Sequence, residues 1–288
     1  MVRQVTKTFR NIISIDWLEG HLDDPNLIIL DATMKKKPNG ETIPTPAKKI
    51  IKAQEFNFDT EICDKQSKLP HMMCSADAFE SYAKNLGINH DSVVIIYDAM
   101  GIFSSPRAWW MFKLMGHKQV YILDGGLPAW LKANKETSSN YFKATSKGNF
   151  ISTFLSELVV DSNQMMAILN NPYYQIIDAR SYARFTAQED EPRKELKRGH
   201  IPNSYCLPFA GLLENGFIRD TEQLDTLFKN IVYSEAKQLV FSCGSGVTAC
   251  ILALSADECG YDNYTIYDGS WSEWGAGEKF PISTKNSN

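Results

Sequence analysis

The stretch Gln238-Leu239-Val240-Phe241-Ser242-Cys243-Gly244-Ser245-Gly246-Val247-Thr248-Ala249-Cys250 decides how this chain is read. Leu239 to Phe241 is an apolar run of strand-forming residues. Gly244 and Gly246 then permit a tight bend. From Val247 the chain is apolar almost without break to Leu254, as a helix buried against a sheet requires. The pattern predicts strand, loop and helix, with Cys243 opening the loop. A thiol there faces unpaired backbone N–H groups and the positive end of a helix dipole. Both favour the thiolate, the nucleophilic form of cysteine.

The whole chain sets bounds around this stretch. Its 288 residues are enough for about two domains at roughly 150 residues each. Hydrophobic residues make up 43% and charged residues 22%, ordinary values for a globular protein with a full core. A net charge of −4 gives no reason to expect nucleic acid or an anionic membrane as partner. No apolar run approaches the ~18 residues of a membrane span. A cytoplasmic location is the simplest expectation, and the basic first ten residues leave a mitochondrial one open. The six cysteines show no C-x-x-C pair and no framework spacing, so free thiols are expected. The five histidines lie at no ligand spacing from a cysteine, so neither a metal nor another cofactor is expected.

The order of elements occurs twice. Ile28-Ile29-Leu30-Asp31-Ala32 returns as Gln175-Ile176-Ile177-Asp178-Ala179, and Val94–Asp98 returns as Leu239–Cys243. Leu123-Asp124-Gly125-Gly126 with Trp130 returns as Tyr267-Asp268-Gly269-Ser270 with Trp274. The offsets are 147 at Asp178, 145 at Cys243, and 144 at both Asp268 and Trp274. Alternating strands and helices in two copies predict an α/β fold with a mostly parallel sheet in each. The expected division is a first domain over 1–134, a polar linker over 135–152 and a second domain over 153–288. Asp98 stands where the second copy has Cys243, so only the second copy is expected to be armed.

Three loop chemistries compete for residues 243–249. Gly244-Ser245-Gly246-Val247-Thr248-Ala249 fits G-x-G-x-x-A, but a lone match late in its domain, without the usual acidic partner, is weak. A P-loop needs Gly-Lys-Ser/Thr, which is absent. A cysteine phosphatase needs an arginine where this chain has Ala249. Anion binding would then rest on the backbone amides of the loop, at Gly244, Gly246, Val247 and Thr248.

The loop resembles that of the two-domain rhodanese-type sulfurtransferases, and more closely their 3-mercaptopyruvate branch, which carries Cys-Gly-Ser-Gly-Val-Thr-Ala as this chain does at 243–249. The resemblance extends to Leu69-Pro70-His71-Met72, Ser105-Pro106-Arg107-Ala108-Trp109-Trp110, Asp124–Trp130, Asp178-Ala179-Arg180-Ser181, Gly199-His200-Ile201-Pro202 and Tyr267–Trp271. It implies two tandem rhodanese-like domains, the first inactive. It also implies transfer of sulfur from 3-mercaptopyruvate through a Cys243 persulfide to a thiol, thioredoxin or cyanide, with pyruvate released. Thiosulfate-using relatives carry Arg and Lys where this chain has Gly244 and Ser245. A neutral loop suits a donor with one carboxylate better than the thiosulfate dianion. Arg184 and Arg193 match the family's substrate-binding arginines, whose planar forks can hold carboxylate and ketone oxygens. Without the resemblance, both read equally as solvated charges in the polar stretch 184–198. In the mercaptopyruvate enzymes a loop serine, a histidine and an aspartate are proposed to act together. Ser245 and His71 match the first two, and the acid position falls on Glu61. His200 and Cys250 are read as structural. Two alternatives stay open: thiosulfate:cyanide sulfurtransfer, and a non-catalytic sulfur-carrier or redox-sensing module.

Overall fold

The computed structural model describes residues 10–37, 39–233 and 236–284. The basic segment 1–9, on which the location was partly read, lies outside the described residues. The first domain comprises β1 (Ile12–Ile13), α1 (Ile15–Gly20), β2 (Leu27–Asp31), β3 (Lys49–Ile50), β4 (Gln54–Glu55), α2 (Ala76–Asn85), β5 (Val93–Tyr97), α3 (Ser105–Leu114), β6 (Val120–Leu123) and α4 (Gly126–Lys132). A crossing segment holds β7 (Thr137–Ser138). The second domain comprises β8 (Val159–Val160), α5 (Ser162–Ile168), β9 (Tyr174–Asp178), α6 (Tyr182–Phe185), β10 (Tyr205–Cys206), β11 (Leu213–Glu214), β12 (Phe217–Ile218), α7 (Thr221–Lys229), β13 (Gln238–Ser242), α8 (Ala249–Glu258), β14 (Tyr264–Tyr267) and α9 (Ser270–Trp274).

The two main sheets run β1-β6-β5-β2-β4 and β8-β14-β13-β9-β10, five strands each, every pair parallel. Position by position this is one topology repeated, with β13 and β5 as the central strands. Both faces of each sheet are covered, which is why their strands are continuous apolar runs rather than alternating ones. Ile29, Ile95 and Leu123 face an outer core with Leu18 and Trp130. Leu30, Ile96 and Ile122 face inward into a core that continues through Ile177 and Phe241 of the second domain.

That shared core is built on α3 and α8, the helices that follow β5 and β13. Each packs on its own sheet and on the other helix. All ten residues of α8 are buried, and so are all those of α3 except Lys113. An amphipathic stripe is therefore absent, because these helices have almost no solvent side. α3 starts at Ser105, with Pro106 tolerated in the first turn.

Segment 135–152 is polar in composition, yet it is not a free spacer. β7 pairs antiparallel with β3, Phe142 N–H donates to Ala53 C=O, and Phe150 is buried against α2 and α3. The N-terminal strand region ties the halves from the other side. The Asn11 amide donates to Glu258 Oε1 at 2.7 Å, and its side chain to Asp257 Oδ1 at 2.8 Å, both at the end of α8. No helix among the described residues is long and apolar enough to cross a membrane. The six cysteines form no disulfide.

Candidate active site

Cys243 follows the last residue of β13, the central strand, and lies at the carboxyl end of its sheet, where open α/β folds bind their ligands. Its side chain is buried. The loop is held by the next strand–helix junction. Cys243 N–H donates to Ser270 Oγ (3.1 Å), and Ser270 Oγ–H donates to Tyr267 C=O (2.8 Å). Trp271 N–H donates to Cys243 C=O (2.9 Å), while the Ser272 amide and hydroxyl both donate to Gly244 C=O. Gly246 has φ 74°, and a side chain there would strike Asp268 C=O at 2.8 Å and the Arg107 guanidinium at 3.0 Å. This position needs glycine for both conformation and space.

The second brace comes from the first domain. Arg107, on α3 and wholly buried, donates to Gly246 C=O (3.2 Å), to Asp268 Oδ1 (2.6 Å) and to His71 C=O. The guanidinium also lies 4.6 Å from the Trp110 ring centroid. Burial works against its charge, but the Asp268 carboxylate outweighs it, and the Arg107 pKa is raised. The other Asp268 oxygen accepts from Met73 N–H at 2.8 Å. One buried ion pair thus joins the cysteine loop to the His71–Met73 turn of the other domain. An arginine directly ahead of the apolar run Ala108-Trp109-Trp110-Met111-Phe112 was the available sign that it had a buried partner.

His71 adopts φ 62°, and its Nδ1 stands 3.0 Å from Asp59 Oδ1, both side chains nearly buried. Glu61, the acid expected beside His71, is not there. Its side chain is about half exposed and pairs with Lys65. The cause is the turn at 57–62, in which the amides of Glu61 and Ile62 both donate to Asn57 C=O. That turn points residue 59 inward and residue 61 outward. Ser245 is buried, and its hydroxyl has no hydrogen-bond partner among the described residues.

Arg184 and Arg193 reach the same loop from the segment after β9. A side chain added to Gly244 would meet Arg184 Nη2 at 3.1 Å, so this guanidinium lies directly against the residue after Cys243. Arg193 is half-buried and makes no ion pair among the described residues. Burial lowers its pKa, while the charges of Glu195 and Cys243 favour its cationic form, so it is within electrostatic reach of the thiol. Cys250 is core: its Sγ donates to Gly246 C=O at 3.2 Å, and burial pushes its pKa up. His200 is structural too, stacked on Phe185 with ring centroids 3.8 Å apart.

In the first domain the equivalent loop is filled by its own acid. Asp98 Oδ2 accepts from the amides of Phe103, Ser104 and Ser105 at 2.8–3.0 Å and from Ser105 Oγ, and Oδ1 accepts from Met100 N–H. The loop shape therefore gathers backbone N–H groups around one anion. In the first copy that anion is built in.

Two parallel sheets in tandem, with one cysteine-bearing loop braced across the domain boundary, define a class. The chain belongs to the rhodanese family, since the rhodanese-like domain matches residues 14–133 and 161–276. Over 94% of its length it is 37% identical to the 3-mercaptopyruvate sulfurtransferase of Escherichia coli, covering 96% of that protein. It is 36% identical over 97% of its length to the mitochondrial thiosulfate/3-mercaptopyruvate sulfurtransferase 1 of Arabidopsis thaliana, covering 80% of it. The crystal structure of SseA from Escherichia coli superposes with a TM-score of 0.81 over 90% of this chain and 98% of that one, at 35% identity.

Proposed function

We propose that this chain is a sulfurtransferase that takes sulfur from 3-mercaptopyruvate and passes it on through a persulfide on Cys243. The observation that carries the reading is Arg184 lying against Gly244, one residue from the buried thiol. With Arg193 it gives a small 2-oxo acid two guanidinium groups for its carboxylate and ketone oxygens. Gly244, Gly246, Val247 and Thr248 form the floor on which the donor rests.

The Cys243 thiolate attacks the donor sulfur. The new S–S bond forms as the carbon–sulfur bond breaks, its electron pair passing to the methylene carbon as the enolate of pyruvate. That enolate takes up one proton and pyruvate leaves. Ser245, His71 and Asp59 supply the proton path, with Asp59 in the place expected of Glu61. An acceptor thiolate, from a small thiol or thioredoxin, or cyanide, then removes the outer sulfur and restores Cys243. The chemistry is carried by side chains and loop amides, and the site calls on no metal or organic cofactor. A cytoplasmic location accords with a reduced Cys243.

Intact-mass measurement after adding mercaptopyruvate should find one extra sulfur on the wild type and none on Cys243→Ser. A persulfide on the serine variant, or turnover without Cys243, sinks the reading. Thiosulfate in place of mercaptopyruvate tests the rival donor in the same assay. A reactive Cys243 that never turns over either donor would mark a sulfur carrier instead.

A further inference from the structure

A chain of buried charges runs behind Arg184. Arg180 is fully buried and donates to both Asp178 oxygens (Nε at 3.1 and 2.9 Å, Nη2 at 2.6 Å), to Glu191 Oε1 (2.7 Å) and to Gly199 C=O (2.8 Å). Its guanidinium lies 4.3 Å from the Trp271 ring centroid, on the helix that braces the cysteine loop. Glu191, with a side chain only 1% exposed, is thus fixed from behind. From that position it takes Arg184 on two nitrogens, Nε at 3.2 Å to Oε1 and Nη2 to Oε2. Arg184, at 19% exposed, is the member of the chain that reaches the site.

We infer that Glu191 is a specificity-determining residue, which fixes the Arg184 guanidinium over the Cys243 loop and cancels its charge. This rests on the donor reading above. Asp178 and Glu191 balance Arg180 and Arg184, and Asp268 balances Arg107. Arg193 is then the one cation at the site that makes no ion pair among the described residues, and the Glu195 charge near it sits on an exposed side chain, where solvent screens it. A pocket of about one net positive charge suits a donor with a single carboxylate and gives a dianion little extra. The fixed fork adds geometry, since two nitrogens tied to Glu191 leave the remaining donors facing the loop in one orientation. A planar 2-oxo carboxylate can use that orientation, and thiosulfate has less need of it.

Removing the Glu191 charge while keeping its shape should therefore favour thiosulfate twice over, through charge and through lost orientation. With cyanide as acceptor, Glu191→Gln should raise the ratio of kcat/KM on thiosulfate to kcat/KM on mercaptopyruvate by about tenfold, the size of one added charge acting at close range. Glu191→Asp keeps the charge and should hold the ratio within about twofold. Asp190→Asn makes the same net change at the neighbouring exposed residue and should leave the ratio unmoved, because solvent screens it. A Glu191→Gln variant that loses rate on both donors alike, with an unmoved ratio, overturns the inference and makes the residue merely structural. Should that variant not fold, the salt dependence of the wild type bears on the same point. The fall of kcat/KM on mercaptopyruvate with ionic strength should match one site cation, and a slope matching two overturns the inference. A wild type that takes no sulfur from mercaptopyruvate overturns the proposed function and the inference with it. A wild type that does, with the Glu191→Gln ratio unmoved, overturns the inference alone.

Discussion

Asp268, from the second domain, holds the first domain at two points, one oxygen on Arg107 and the other on the Met73 amide. Removing half of a fully desolvated pair leaves the other charge uncompensated, which typically costs about 3–5 kcal/mol. Asp268→Asn should accordingly lower stability by about 3 kcal/mol in urea titration. It should also reduce turnover, since Arg107 steadies Gly246 and His71 through the same guanidinium. Turnover unchanged in a folded Asp268→Asn variant would show that this brace does not govern the loop. The same scale shows where sequence spacing stops. Asp59 and Glu61 are two residues apart, and both are plausible partners for His71. Only the hydrogen bonding of the 57–62 turn decides which side chain points inward.

At the scale of elements, each catalytic-type helix is set by what precedes and follows it. α8 begins after a left-handed glycine and ends in a buried acidic pair held by Asn11. α3 is followed by His117, whose Nε2 lies 2.9 Å from Ser92 C=O, and the end of α6 is met by His200, whose Nδ1 lies 2.7 Å from Phe185 C=O. Burial lowers the pKa of both histidines below the ordinary 6.5. Both are neutral when folded and take up a proton more readily when unfolded. Their contribution to stability is present above about pH 6.5 and is lost as the pH falls through their folded-state values. Melting temperature should drop between pH 7 and pH 5, and a His117→Gln/His200→Gln double variant should lose part of that slope. An unchanged slope in the double variant would assign the acid sensitivity to other groups. Strand and helix order was legible in the sequence here because parallel strands covered on both faces stand out as unbroken apolar runs.

At the scale of the molecule, the two domains share one hydrophobic core through α3 and α8, with Phe112, Cys250, Leu254 and Phe241 in the same cluster. Neither half can keep its helix dry without the other. A chain cut in the 135–152 segment should therefore fail to give two soluble, folded halves. The intact protein should unfold in one transition, with tryptophan fluorescence and far-UV circular dichroism coinciding. Two separated transitions would contradict the shared core. The tandem arrangement also gives the copy that carries Asp98 in its loop a structural part in the other. It supplies Arg107 to the neighbour's loop and seats the backbone of the His71–Met73 turn against it, while Asp98 closes its own.

Sequence by itself determined the duplicated α/β order, the loop carrying Cys243 and the presence of Asp98 at the equivalent position of the first copy. These follow from local periodicity and residue type, which act within a few residues. The two arginines needed a family resemblance as well, because a charge in a polar stretch looks the same whether solvated or bound. Tertiary structure alone decided which carboxylate meets His71, that Arg107 and Asp268 brace the loop across the domain boundary, and that Glu191 holds Arg184 over it. Those pairings join residues up to 161 positions apart. What selects them is the cost of leaving a buried charge without a partner, a cost set once the chain has closed around it.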